Sequence, residues 1–132
     1  MATPHINAEP GDFAPTVLEI AGVTIGDHIQ GRSFVPLLLG DATDWRESLL
    51  IEFYTYENPF PWLLDMDYKA IRTNTHKLIH WMQYPEEGEL YDLVEDPYET
   101  RNVMNDPQYA NIVRDLRAEM ATAVLDAMGL ER

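Results

Sequence analysis

The stretch Asp67 to Asn102, DYKAIRTNTHKLIHWMQYPEEGELYDLVEDPYETRN, decides how the chain is read. Two runs of strand-forming residues, Tyr68 to Thr73 and Lys77 to Met82, flank the polar pair Asn74-Thr75, which is a hairpin signal. A third strand is predicted at Glu89 to Leu93. Beyond it Glu95-Asp96-Pro97 ends the ladder, because proline has no N–H to give a central strand and drives the preceding residue away from helical backbone.

Immediately upstream, Trp45-Arg46-Glu47-Ser48 leads into LLIEFYTY, rich in β-branched and aromatic residues and predicted to be the first strand of the same sheet. Glu57 to Asp67, ENPFPWLLDMD, has two prolines and no clear period, and reads as a loop that packs against a neighbour. Nearer the start, DFAPTVLEIAGV predicts a helix opened by Asp12, with Pro15 near its first turn and Gly22 at its stop. In QGRSFVPLLLG, Gln30 to Gly40, Ser33 is expected to cap a short helix whose leucines turn inward. Downstream, Asp106-Pro107 supplies an N-cap and first helical residue. Tyr109, Ile112, Val113, Leu116, Met120, Ala123, Val124 and Ala127 then recur at spacings of three and four, with Gly129 as the stop. The pattern is α+β: a small antiparallel sheet of about four strands packed against a C-terminal helix, with short helices near the N-terminus.

Composition narrows the function classes. At 132 residues, 45% of them apolar, one domain with a real core is expected, with residues 1–11 as a flexible lead-in and 12–132 as the domain. The net charge of −14 repels phosphate backbones and anionic lipid head groups, so nucleic acid and membranes are poor partners. Zero cysteines exclude disulfides, thiolate metal sites and a cysteine nucleophile. No run approaches the roughly 20 apolar residues of a membrane helix. The N-terminal residues lack the plan of a signal peptide, so the chain reads as soluble and without an address.

Arg72-Thr73, Lys77-Leu78-Ile79, Glu89-Leu90-Tyr91-Asp92-Leu93, Asp96-Pro97, Glu99 and Asn102 together resemble the C-terminal subdomain of the sulfatases, sulfuric-ester hydrolases of the alkaline-phosphatase superfamily. The Asp-Phe-Ala-Pro-Thr segment at Asp12 and the Gln30 to Gly40 segment are similar to stretches that precede that subdomain in the family. The resemblance implies the same α+β arrangement. It also implies a formylglycine made from a Cys/Ser-x-Pro-x-Arg motif and a calcium ion held by carboxylates, both in a catalytic domain. Neither Ser33 nor Ser48 is followed by x-Pro-x-Arg, so no catalytic or metal-binding residue is assigned to this chain.

Lys69, Arg72 and His76 concentrate positive charge near the hairpin and form the candidate substrate-binding set. In the family a His often stands four residues ahead of the Arg, where this chain has Tyr68. The competing expectation is that Arg72 pairs with a carboxylate while Lys69 and His76 are solvated. His76 and His80 fall on one face of a strand but lack a third metal ligand. The acidic runs Glu86-Glu87-Gly88-Glu89 and Glu95-Asp96, and Asp65-Met66-Asp67, lack calcium-loop spacing and are expected to be solvated turns. Tyr91 is expected to pack.

Three functional readings follow. The first is the C-terminal part of a sulfatase, completing the fold and walling the substrate cleft, inactive alone, with the catalytic domain as partner in cis or in trans. The second is a stand-alone interaction module whose exposed apolar surface takes a partner or a second copy. The third is the same part of a phosphodiester or phosphonate-ester hydrolase.

Overall fold

The computed structural model describes residues 7–41, 44–55 and 65–129. The chain divides into two compact units, Met1–Leu49 and Leu50–Arg132.

In the first unit a 3-10 turn, Pro10–Asp12, runs into α1, Phe13–Ile20, and α2 follows at Val35–Leu38. Gly22 stops α1 in the left-handed region, φ 69°, with the Val23 N–H bonded back to the Leu18 carbonyl. Pro15 and Thr16 face inward, whereas Phe13, Val17 and Ile20, at helical spacing, lie 61–68% exposed. The Ser33 hydroxyl accepts from the Val35 N–H at 3.3 Å, but the expected inward turn of the leucines holds only in part: Leu37 is half-buried, whereas Leu38 and Leu39 are 65% and 81% exposed. A single four-residue turn has too few positions to present one face inward.

The second unit is a four-stranded antiparallel sheet in the order β1-β2-β3-β4, with a long helix on one face. The strands are β1, Ser48–Phe53, which begins two residues before the unit boundary, β2, Tyr68–Thr73, β3, His76–Trp81, and β4, Gly88–Asp92. The two-residue turn between β2 and β3 is closed by the Thr73 hydroxyl, which accepts from the N–H groups of Thr75 (3.2 Å) and His76 (3.0 Å). Residues 57–64 of the predicted packing loop lie outside the described residues.

Register places Ile71 opposite Leu78 and Leu78 opposite Leu90. Each is at most 1% exposed, and with Val103, Leu116 and Met120 they form the core. Each such side chain contributes roughly 1.5–3 kcal/mol by leaving water. The helix beneath them, α3, Ala110–Ala127, starts as predicted: the Asp106 carboxylate accepts from the Gln108 N–H at 3.0 Å, and Pro107 opens a 3-10 turn. Gly129, φ 69°, ends it. The outer edge of β4 is covered by Asn102 and Val103. The Asn102 side chain accepts from the Leu90 N–H, and the Val103 N–H donates to the Leu90 carbonyl.

Candidate functional site

Because side chains alternate along a strand, Lys69 and Arg72, three apart, emerge on opposite faces of β2. Lys69 shares the helix-covered face with Ile71 and pairs with Glu52. That hydrogen bond raises the Lys69 pKa and, as the largest cause, lowers that of Glu52, so both stay charged. His76 lies on the same face at the other end of the hairpin. Its Nδ1 is 2.9 Å from the Thr75 hydroxyl, and Nε2 is 3.9 Å from the Asp92 carboxylate with no hydrogen bond of its own. The expectation of two solvated side chains gives way here: Lys69 and His76 are only 17% and 16% exposed. His80 pairs across the ladder with Lys69, away from His76. The three candidate binding residues therefore do not converge on one point.

On the far face Arg72 and Lys77 are direct cross-strand neighbours, two like charges that would repel. Glu99 stands between them, accepting from Arg72 Nη1 at 3.2 Å and from Lys77 Nζ. To reach them it adopts φ 55°, a left-handed conformation unusual for a residue with a side chain. The Asp96-Pro97 turn positions it. Asp96 accepts from the N–H groups of Thr100 (2.7 Å) and Arg101 (2.8 Å), and these bonds outweigh desolvation and hold its carboxyl below the usual range. Beside this cluster Lys77 lies over the Tyr91 ring, and the Tyr91 hydroxyl donates to Glu89. The Glu89 hydrogen bond first, and burial second, push the phenol up to about 12.

Asp92 joins strand to helix. One carboxylate oxygen accepts from the N–H groups of Val94 and Glu95, and the other accepts from the Tyr109 hydroxyl at 3.0 Å. Burial would raise its pKa, yet these donors bring it down. Asn102 bonds Leu90, Met104 and Gly88 at once. The polar residues of the predicted signature, Arg72, Thr73, Lys77, Glu89, Tyr91, Asp92, Asp96, Glu99 and Asn102, thus each make a contact that holds the second unit.

The first unit contains a polar centre that the sequence reading missed. Asp12 is fully buried and takes both guanidinium nitrogens of Arg46, at 2.8 and 3.0 Å, together with the N–H groups of Glu9 (2.9 Å) and Arg32 (2.7 Å). Burial pushes its carboxyl up, but the Arg46 hydrogen bonds and the two N–H donors overcome this and leave it below the ordinary value. Gly31 packs so closely on Gly11 that a Cβ there would sit 1.9 Å from the Gly11 oxygen. Only the recurrence of the Asp12 and Arg32 segments in the family could have flagged this pairing.

No group of three or more His, Asp or Glu residues able to hold a metal occurs among the described residues. Among the described residues the donors do not form a set that fits the family's calcium, and neither Ser33 nor Ser48 stands in the motif that formylglycine requires. No helix among them is long and apolar enough to cross a membrane.

The family described as "N-sulphoglucosamine sulphohydrolase, C-terminal" matches residues 7–125. An N-acetylglucosamine-6-O-sulfatase of Bacteroides thetaiotaomicron is 37% identical over 80% of this chain and 19% of its own length. A protein solved in complex with its substrate, D-glucosamine-2-N,6-O-disulfate, superposes with a TM-score of 0.71 at 34% identity, covering 85% of this chain and 23% of its own. A phosphonate monoester hydrolase of Agrobacterium radiobacter superposes at 0.63 with 25% identity, over 84% of this chain and 25% of its own. The chain belongs to the sulfatase family of the alkaline phosphatase superfamily, and it corresponds to the family's C-terminal domain. It spans less than a third of the length of each relative named here.

Proposed function

We propose that residues 12–132 act as the C-terminal part of a sulfuric-ester hydrolase, completing its fold and walling one side of the substrate cleft. A catalytic domain, in cis or in trans, carries the nucleophile and the metal. The observation that supports this reading is the match over residues 7–125, within which Arg72, Lys77, Asp92, Asp96, Glu99 and Asn102 are occupied in holding the fold. Side chains so engaged are not free to attack an ester or to shuttle a proton. The exposed apolar row Phe13, Val17 and Ile20 on α1 supports a covering partner, since soluble proteins rarely leave such a row uncovered. The likeness to an N-acetylglucosamine-6-O-sulfatase favours a sulfated sugar as substrate of the assembled enzyme.

The test is sulfate release from an aryl sulfate and from glucosamine 6-sulfate. Each is assayed with the purified chain alone, then after adding a sulfatase catalytic domain that lacks its own C-terminal part. No turnover alone and turnover on mixing is the expected result. Calcium-dependent hydrolysis by the chain alone would overturn the reading. The likeness to a phosphonate monoester hydrolase supports a second reading in which the assembled enzyme cleaves phosphonate or phosphate diesters. A phenyl phosphonate ester in the same assay separates the two. Sedimentation of the chain alone addresses the interaction module: a monomer at all concentrations counts against self-association.

A further inference from the structure

Within the second unit the sheet and α3 leave between them a groove of about 590 Å³, open at one side. Its floor is apolar, with Met82, Val124 and Leu125 among the lining side chains, the first and last of them 43% and 37% exposed. Three cationic or titratable nitrogen groups, Lys69, His80 and Arg117, stand around it, and among the described residues no Asp or Glu lines it. This segregation is unexpected in a chain with 23 acidic and 9 basic residues. Lys69 is neutralised by Glu52, so the uncompensated charge is that of Arg117, which makes no ion pair among the described residues.

We propose that this groove binds a medium-chain aliphatic carboxylate, its tail along Met82, Val124 and Leu125 and its head on the Arg117 guanidinium. Two arguments select this class. The volume falls in the range of small-molecule sites, roughly 300–1,000 Å³, whereas a stable protein partner buries on the order of 800 Å² of each surface. A guanidinium presents two parallel N–H donors that match the two oxygens of a carboxylate, while the apolar floor rewards an unbranched chain. The proposal does not depend on the sulfatase reading, because its head contact is Arg117 and its tail contacts are Met82, Val124 and Leu125, none of them in the candidate substrate-binding set.

Isothermal titration of the purified chain with decanoate, below its micelle concentration and near neutral pH, tests it. One saturable site is expected, weakened about tenfold or more by Arg117→Glu and blocked by Ala121→Trp, which fills the groove. Decyltrimethylammonium, with the same tail and the opposite charge, is expected not to bind. Absence of a saturable site overturns the proposal. So does unchanged affinity in Arg117→Glu, an exposed position whose substitution leaves the fold intact, or equal binding of the cationic amphiphile.

Discussion

Replacing Glu99 should separate the two things the residue does. Its carboxylate neutralises Arg72 and Lys77, which face each other across β2 and β3 with side chains only 29% and 19% exposed. Its backbone meanwhile sits at φ 55°. A partly buried, charge-assisted hydrogen bond contributes on the order of 1–2 kcal/mol, more than an exposed pair. The facing cations then add a few tenths of repulsion once the acid is gone. Glu99→Ala should therefore cost about 2–3 kcal/mol. Glu99→Gly loses the same pairs but relieves the left-handed backbone, recovering roughly 1 kcal/mol. Urea unfolding of both variants gives these values, and for a domain of this size each kcal/mol moves Tm by about 4–8 °C. Placing Glu99→Ala in an Arg72→Met, Lys77→Met background, where the carboxylate has no cation to pair with and Ala keeps the same left-handed backbone, should shrink its cost to near zero. The reasoning is refuted if Glu99→Ala stays within about 0.5 kcal/mol of the parent, or if its cost is unchanged in the double-methionine background.

Further predictions address the first unit and the far face of the sheet. Asp12→Asn leaves the Arg46 guanidinium without its buried counter-charge and should destabilise the first unit by about 3 kcal/mol, read from the dispersion of the Trp45 indole N–H resonance. Because the folded Asp12 carboxyl lies below its ordinary pKa, its stabilisation is complete above the ordinary value and disappears as pH falls through the folded one; acid opening should begin below about pH 4 and be absent from Asp12→Asn. Gly31→Ala drives a methyl into the Gly11 backbone, so about 2 kcal/mol or more should be lost in a denaturant melt. Ultraviolet titration should show the Tyr91 phenolate forming only near pH 12. Its raised pKa means stability present below about pH 10 and lost between there and 12, and Glu89→Gln should bring the titration down.

What the sequence disclosed was local or periodic. The hairpin, the third strand and the capped helix follow from alternation, from a 3.6-residue stripe and from Asp106-Pro107, all contained within a few residues. What it concealed was long-range. Asp12 looks like a helix opener because its true partners are 20 and 34 residues away. Glu99 looks like a turn residue because Arg72 and Lys77 are 27 and 22 positions distant. The candidate trio was partly legible: an odd separation between Lys69 and Arg72 on a strand already puts them on opposite faces. The exposure of Leu38 and Leu39 was not legible, since apolar identity says nothing about whether a partner surface is present.

The residues from Arg72 to Asn102 on which the resemblance to the family rests carry the second unit's polar framework. A half-buried acceptor such as Asp92, serving Val94, Glu95 and Tyr109 together, cannot change without releasing both the turn after β4 and its tie to Tyr109. Glu99 and Asn102 carry comparable multiple duties. None of these duties depends on which ester is cleaved. Sulfatases and a phosphonate monoester hydrolase can therefore share this framework while their chemistry diverges elsewhere, and a signature read from it names the fold's relatives and leaves the reaction to the groups that touch the substrate.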